Sequence, residues 1–230
     1  MSMQDRLIIA LDLPSTGDAK ALTALCGDAV SFYKIGLQLL PVGGMELSEK
    51  LRADGKKVFL DFKLHDIPAT VEKATRSIAS RGGDLLTVHA EPPVMRAAVA
   101  GRGVDPDLKL LGVTVLTSYD DALLKEIGYA FTARDLVMRR VEQALDAGMD
   151  GIVSSPLEAA EIRSKFGDGF LIVTPGIRPA GSDAGDQKRI ATPGDALQNG
   201  ATHLVVGRPV NAAPDPARAA RSILEEMEAG

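Results

Sequence analysis

VFLDFKLHDIPAT, Val58 to Thr70, opens as an apolar, strand-forming run and ends in Asp61, Lys63, His65 and Asp66 before Pro68 introduces helix-forming residues. Strand followed by helix is the unit of a parallel α/β fold, because parallel strands need a crossover. Side chains alternate along a strand, so Asp61 and Lys63 are expected on one side and Phe62 on the other. Charges inside a protein are poor stabilisers even when paired, so alternating acid and base at the end of an apolar strand points to chemistry.

Outward from this stretch, similar apolar runs recur: RLIIALD, AVSFYKIG, KKVFLDFK, DLLTVHA, LKLLGVTVL, DGIVSS, GFLIVTPG and THLVVGR. Helical spacing separates them, for example over Ala69 to Arg81, Pro93 to Ala100 and Ala133 to Ala147. Runs that are apolar nearly throughout suit strands covered on both faces. Eight strand–helix units predict an α/β fold of the (β/α)8 TIM-barrel type, a single domain over residues 1–230. A doubly wound open sheet is the structural rival, but no GxGxxG follows the first run. Barrel active sites form at the C-terminal strand ends. Asp12 ends the first run, Lys34 lies in the second, and Asp61 with Lys63 closes the third. Ile177 to Pro193 is rich in Gly, Ala, Ser and Asp and reads as a long binding loop after the seventh strand. Phosphate often sits between the loops after strands seven and eight. There Arg178 offers a planar fork of donors, Gly207 and Arg208 bring backbone N–H groups and a cation, and Gln187 extends from the loop.

Composition narrows the partners. The net charge of −5, the absence of Trp and 4% aromatic residues argue against a nucleic-acid surface. No apolar run is long enough to span a bilayer, and MSMQDRLIIALDLP lacks the features of an export signal, so a cytoplasmic protein is expected. Cys26 is the one cysteine, which excludes an internal disulfide and reads as a small structural residue on a helix. His65, His89 and His203 show no zinc-ligand spacing and read as structural, and no metal site is expected. Gly43-Gly44 reads as a helix-start turn, since no GxxxxGK[ST] surrounds it.

DFKLHDIPAT resembles the DxKxxDI signature of the orotidine 5′-phosphate decarboxylase family. LDLP at Leu11, YKIG at Tyr33, VLTS at Val115, TPGIRP at Thr174, GDQKR at Gly185 and VVGRP at Val205 look like the same family, in the same order and over nearly the whole chain. The resemblance implies a cofactor-free lyase of pyrimidine nucleotide synthesis that converts orotidine 5′-phosphate to UMP. It implies Lys63 as the cation and proton donor at C6, and Asp61 beside the substrate carboxylate. Lys34 would bridge the array and contact the ribose, Asp12 would hold a ribose hydroxyl, and Thr117 would meet the pyrimidine from the end of the fifth strand. It further implies a homodimer in which Asp66 and Thr70 enter the partner's active site; read locally, Asp66 is instead a helix cap. Two rivals remain. A sugar-phosphate lyase or decarboxylase of the same barrel suprafamily would use the third-strand carboxylates to hold magnesium, and a silent nucleotide-binding barrel would keep only the phosphate site.

Overall fold

The computed structural model describes residues 2–104, 107–179 and 190–229. Its strands are β1 (Leu7–Ala10), β2 (Phe32–Gly36), β3 (Lys57–Leu64), β4 (Leu85–His89), β5 (Lys109–Val113), β6 (Gly151–Val153), β7 (Leu171–Thr174) and β8 (His203–Val206). They pair in sequence order into a closed parallel barrel, with Leu7 opposite Leu204 and Ile9 opposite Val206 completing the ring. The expected fold class is therefore observed.

The continuous apolar runs are explained by two separate cores. Ile8, Ala10, Phe32, Phe59, Leu85, Leu111, Val173 and Val205 fill the barrel interior. Their sequence neighbours, among them Ile9, Tyr33, Leu60, Leu86, Ile172 and Leu204, point outward into a second core beneath the helices. Each large apolar side chain so buried contributes roughly 1.5–3 kcal/mol. The covering helices include Pro68–Arg81, Pro92–Arg102 and Ala133–Asp146, within a residue or two of the sequence expectation. The last starts where the Thr132 side chain accepts from the Asp135 N–H. Gly43 and Gly44 form the expected helix-start turn. Gly43 takes φ 103°, and a Cβ on Gly44 would lie 2.9 Å from the Leu39 carbonyl.

Two details depart from a regular barrel. In β3 the register against β4 shifts between Leu60 and Leu64, and Lys63 has φ 48°, the one non-glycine positive φ among the described residues. After β7, Ile177 bridges Ala191 in parallel and a helix starts at Pro193, so the expected loop is tied at its base. Its central residues, 180–189, lie outside the described residues.

At the bottom of the barrel His203 is buried and stands edge-on to Phe32, ring centroids 6.0 Å apart. Burial, helped by the charges of Arg6 and Lys57, pushes its pKa down to about 4 from 6.5. Below pH 6.5 the unfolded chain therefore binds a proton that the native chain refuses, and stability falls as pH drops towards 4. The loss through this residue is about 3 kcal/mol, at 1.36 kcal/mol per pKa unit. Urea unfolding of His203→Gln at pH 7 and pH 4 is expected to show a correspondingly smaller loss than the native chain; an equal loss in both would remove His203 as the cause.

Candidate active site

The inward rows of the barrel change character near the C-terminal strand ends. Ile8 and Ala10 are followed by Asp12, Phe32 by Lys34, Phe59 by Asp61, and Leu85 by Thr87. Register sets these side chains beside one another, with Lys34 opposite both Ala10 and Phe59, and Gly36 opposite Asp61. Lys34 Nζ lies 2.9 Å from Asp12 Oδ1 and 3.4 Å from Asp61 Oδ2. Lys63 Nζ lies 2.8 Å from Asp61 Oδ1. Four alternating charges from three strand ends thus form one chain: Asp12, Lys34, Asp61, Lys63.

Burial sets the electrostatics. It would lower the Lys34 pKa, but the carboxylates of Asp61 and Asp12 outweigh it, and the ammonium is held above its ordinary range. Burial would likewise raise Asp61, and Lys34 with Lys63 outweighs it, holding this carboxyl below 3.8. The buried pair at the middle of the chain, Lys34 and Asp61, is consequently ionised at neutral pH. Gly36 permits its packing, because a Cβ there would stand 3.0 Å from both Asp12 Oδ1 and Lys34 Nζ.

These charges line one side of a cavity of about 700 Å³. Phe59, Val113, Val153 and Val205 form its apolar part, while Thr117, Arg178, Gly207 and Arg208 line it as well. Eight of the expected residues therefore share one hollow: Asp12, Lys34, Asp61, Lys63, Thr117, Arg178, Gly207 and Arg208. Arg178 is buried and donates from Nη1 to the Ile177 carbonyl at 2.9 Å. Arg208 opens the short helix Arg208–Asn211 that follows β8.

One placement is corrected. Thr117 does not end the fifth strand: β5 stops at Val113 and Thr117 lies in the turn beyond. The neighbouring β6 offers three residues, so pairing ends there, and Arg140 ties the departing chain by donating to the Thr114 carbonyl. Asp66 and Thr70 are exposed and are not part of the cavity lining. Asp66 does not cap the helix, since Ile67 holds the N-cap position; its Oδ1 accepts from the Ile67 N–H at 2.6 Å. Gln187 and the rest of GDQKR, Gly185 to Arg189, fall outside the described residues.

Two contributors escaped the sequence reading. Thr87, in the middle of β4, donates to Asp61 Oδ1 at 2.9 Å; its signal was a lone hydroxyl in the run LLTVH. Asn211 lines the cavity and donates from Nδ2 to the Ala10 carbonyl at 2.8 Å, joining the helix after β8 to β1. Two of the three histidines meet outside the cavity lining. His65 Nε2 is 3.2 Å from Glu91 Oε2, with its ring centroid 4.8 Å from that of His89. Burial and the nearby His65 hold His89 below its ordinary pKa. No group of three or more His, Cys, Asp or Glu side chains is arranged to ligate a metal among the described residues. Both Asp61 oxygens are engaged by Lys34, Lys63 and Thr87, so a cation there would have to displace ammonium groups.

Residues 5–223 match the model of the orotidine 5′-phosphate decarboxylase / HUMPS family. An orotidine 5′-phosphate decarboxylase of Caulobacter vibrioides is 61% identical over 99% of both chains, and one of Methylorubrum extorquens is 56% identical over 98% of this chain and 96% of its own. The crystal structure of orotidine 5′-phosphate decarboxylase from Lactobacillus acidophilus superposes with TM-score 0.84 at 36% identity, covering 96% of this chain and 98% of that one. The signature around Lys63, the closed barrel and these matches agree: the chain belongs to the orotidine 5′-phosphate decarboxylase family.

Proposed function

We propose that this chain decarboxylates orotidine 5′-phosphate to UMP, and that the Asp12–Lys34–Asp61–Lys63 array performs the chemistry. The observation that carries the proposal is the Lys63 ammonium held 2.8 Å from a buried carboxylate at the edge of a partly apolar cavity. When the C6–CO2 bond breaks, its electron pair stays on C6 in the ring plane, where no adjacent π system accepts it. Electrostatic stabilisation must then supply most of the rate, and fixed charges do so without reorganising during the reaction. Lys63 stabilises the developing carbanion and passes an Nζ proton to C6; solvent returns that proton to the amine. Asp61 fixes the direction of Lys63 and, next to the departing carboxylate, relieves a like-charge contact as CO2 leaves.

Lys34 and Asp12 face the ribose in this reading, and Thr117 the pyrimidine. Arg178 with the Gly207–Arg208 turn takes the phosphate, a placement supported by the burial of Arg178 and the position of these residues after β7 and β8. Gln187 is assigned to the same end of the substrate. The array provides the proton and the charge stabilisation, so neither metal nor organic cofactor enters the proposal. Asp66 and Thr70 are assigned to the active site of a second copy, which makes the working unit a homodimer; their exposure outside their own cavity is in keeping with that role. Among the described residues no helix is long and apolar enough to cross a membrane, and the reaction belongs to cytoplasmic pyrimidine synthesis.

The direct test follows orotidine 5′-phosphate absorbance with purified protein in EDTA. Turnover in chelator is expected, whereas turnover only on adding magnesium would favour a metal-dependent lyase, and none under either condition a silent binding barrel. Lys63→Ala is expected to abolish turnover while changing UMP affinity within about tenfold, since transition-state contacts affect rate more than ground-state binding. Measurable decarboxylation by Lys63→Ala would unseat Lys63 as proton donor. For the shared site, mixing inactive Lys63→Ala with inactive Asp66→Ala should restore activity through hybrid dimers with one intact site; no recovery in subunits shown to exchange would reject it.

Asp61 must be ionised for this mechanism, and its carboxylate stabilises the fold above pH 3.8, an effect lost as pH falls through its lowered native value. Lys34→Met leaves only Lys63 and the Thr87 hydroxyl to oppose burial, so the Asp61 pKa rises. The acid limb of kcat should therefore move to higher pH, and stability at pH 7 should fall by about 3–5 kcal/mol as half of a buried charge pair is removed. An unmoved acid limb in Lys34→Met would break the link between Lys34 and Asp61.

A further inference from the structure

Thr87 joins two features that regular strand geometry does not explain. Lys63 has left-handed backbone at φ 48°, and β3 slips against β4 between Leu60 and Leu64. A side-chain-bearing residue in that conformation is strained and persists only where its surroundings hold it. The slip leaves the Lys63 N–H without a place in the strand ladder, and it donates to Thr87 Oγ1 at 3.0 Å. The same hydroxyl donates its own hydrogen to Asp61 Oδ1 at 2.9 Å, and Lys63 Nζ donates to that oxygen at 2.8 Å. The bonds form a closed ring: Lys63 backbone, Thr87 hydroxyl, Asp61 carboxylate, Lys63 ammonium.

We infer that Thr87 is a positioning residue for the decarboxylation, whose hydroxyl locks the left-handed backbone of Lys63 to the carboxylate that aims its ammonium. The inference rests on the proposed function. Thr87 is fully buried, so water does not replace its hydroxyl, and it acts only through Lys63 and Asp61. It stands between Leu85, in the interior core, and His89 at the strand end, where the inward row of β4 passes from packing to chemistry. A hydroxyl is well matched to the place because it accepts from an amide and donates to a carboxylate at once. Valine keeps the shape and does neither. Without the hydroxyl the amide is unsatisfied and Asp61 Oδ1 keeps only Lys63, so both anchors of the ammonium loosen. A misplacement of about 1 Å is enough to cost of order 100-fold in rate.

The test measures kcat, KM, the pH profile and 6-azaUMP affinity for Thr87→Val, Thr87→Ser and Thr87→Ala beside the native chain. Thr87→Val is expected to lower kcat about 10- to 100-fold, in line with loss of hydrogen bonding to a charged group, while KM and 6-azaUMP affinity change by less than about threefold. Thr87→Ser should retain kcat within about threefold, and the acid limb of kcat should move to higher pH in Val and Ala but not in Ser. Should Thr87→Val fail to fold, the Ser and Ala variants still decide, because both lose the methyl group and only Ala loses the hydroxyl. Native kcat in Thr87→Val, or equal losses in Ser and Ala, would overturn the inference while the active native enzyme upholds the function. A native chain that does not turn over orotidine 5′-phosphate overturns both.

Discussion

One buried carboxylate organises the candidate site. Asp61 has little exposure to water and touches two ammonium groups and a hydroxyl, so both of its oxygens meet donors in place of the solvent that burial strips away. A charge in that position is tolerable only as a member of a set. Removing any one donor returns part of the desolvation penalty to Asp61, and removing Asp61 takes from Lys34 one of its two carboxylates and from Lys63 the carboxylate that holds it. Lys34 and Asp61 hold each other ionised in a place where burial alone would press each to give up its charge. This is a poor design for stability and a good one for a reaction whose transition state bears charge in the ring plane, because the field is in place before the substrate arrives.

The barrel delivers those charges by simple repetition. Inward positions recur every second residue, and near the bottom they are Ile8, Phe32, Phe59 and Leu85. Two residues further the same rows present Ala10, Lys34, Asp61 and Thr87, and strand register makes them neighbours. No separate scaffold is required. The packed layer beneath supports the charges and keeps water from reaching them from below, while Phe59, Val113, Val153 and Val205 continue the apolar surface into the cavity.

Most of this was legible in the chain because the responsible signals are local. Runs such as RLIIALD and AVSFYKIG are apolar on both faces, which marks covered parallel strands, and Asp12, Lys34, Asp61 and Lys63 stand out as charges at their ends. What was not legible depends on pairing between strands. LKLLGVTVL is apolar well beyond Val113, and nothing in its pattern reveals that the three-residue β6 ends the ladder and sends Thr117 into a turn. Thr87 is one polar residue in DLLTVHA until β3 lies beside it; only then does its hydroxyl meet both Lys63 and Asp61. The partner assignment of Asp66 and Thr70 came from resemblance alone, for no periodicity tells an exposed helix start from a residue that serves another subunit.

The expectation that Asp61 and Lys63 share a side was correct in outcome and incomplete in cause. On an unbroken pleat, residues two apart stand roughly 6.5–7 Å apart along the strand, and both side chains would project in parallel towards the cavity. The left-handed turn at Lys63 changes this by bending the chain, so the ammonium folds back onto the carboxylate two residues before it. Backbone strain is here exchanged for direction. An unstrained strand would keep both charges in the barrel mouth, yet leave the ammonium free to follow the substrate carboxylate, the ground-state anion nearest to it. In the proposed mechanism the ammonium tethered to Asp61 is instead held for the charge that appears at C6 after the carboxylate has gone, and ground-state attraction does not become a deeper well for the reaction to climb from.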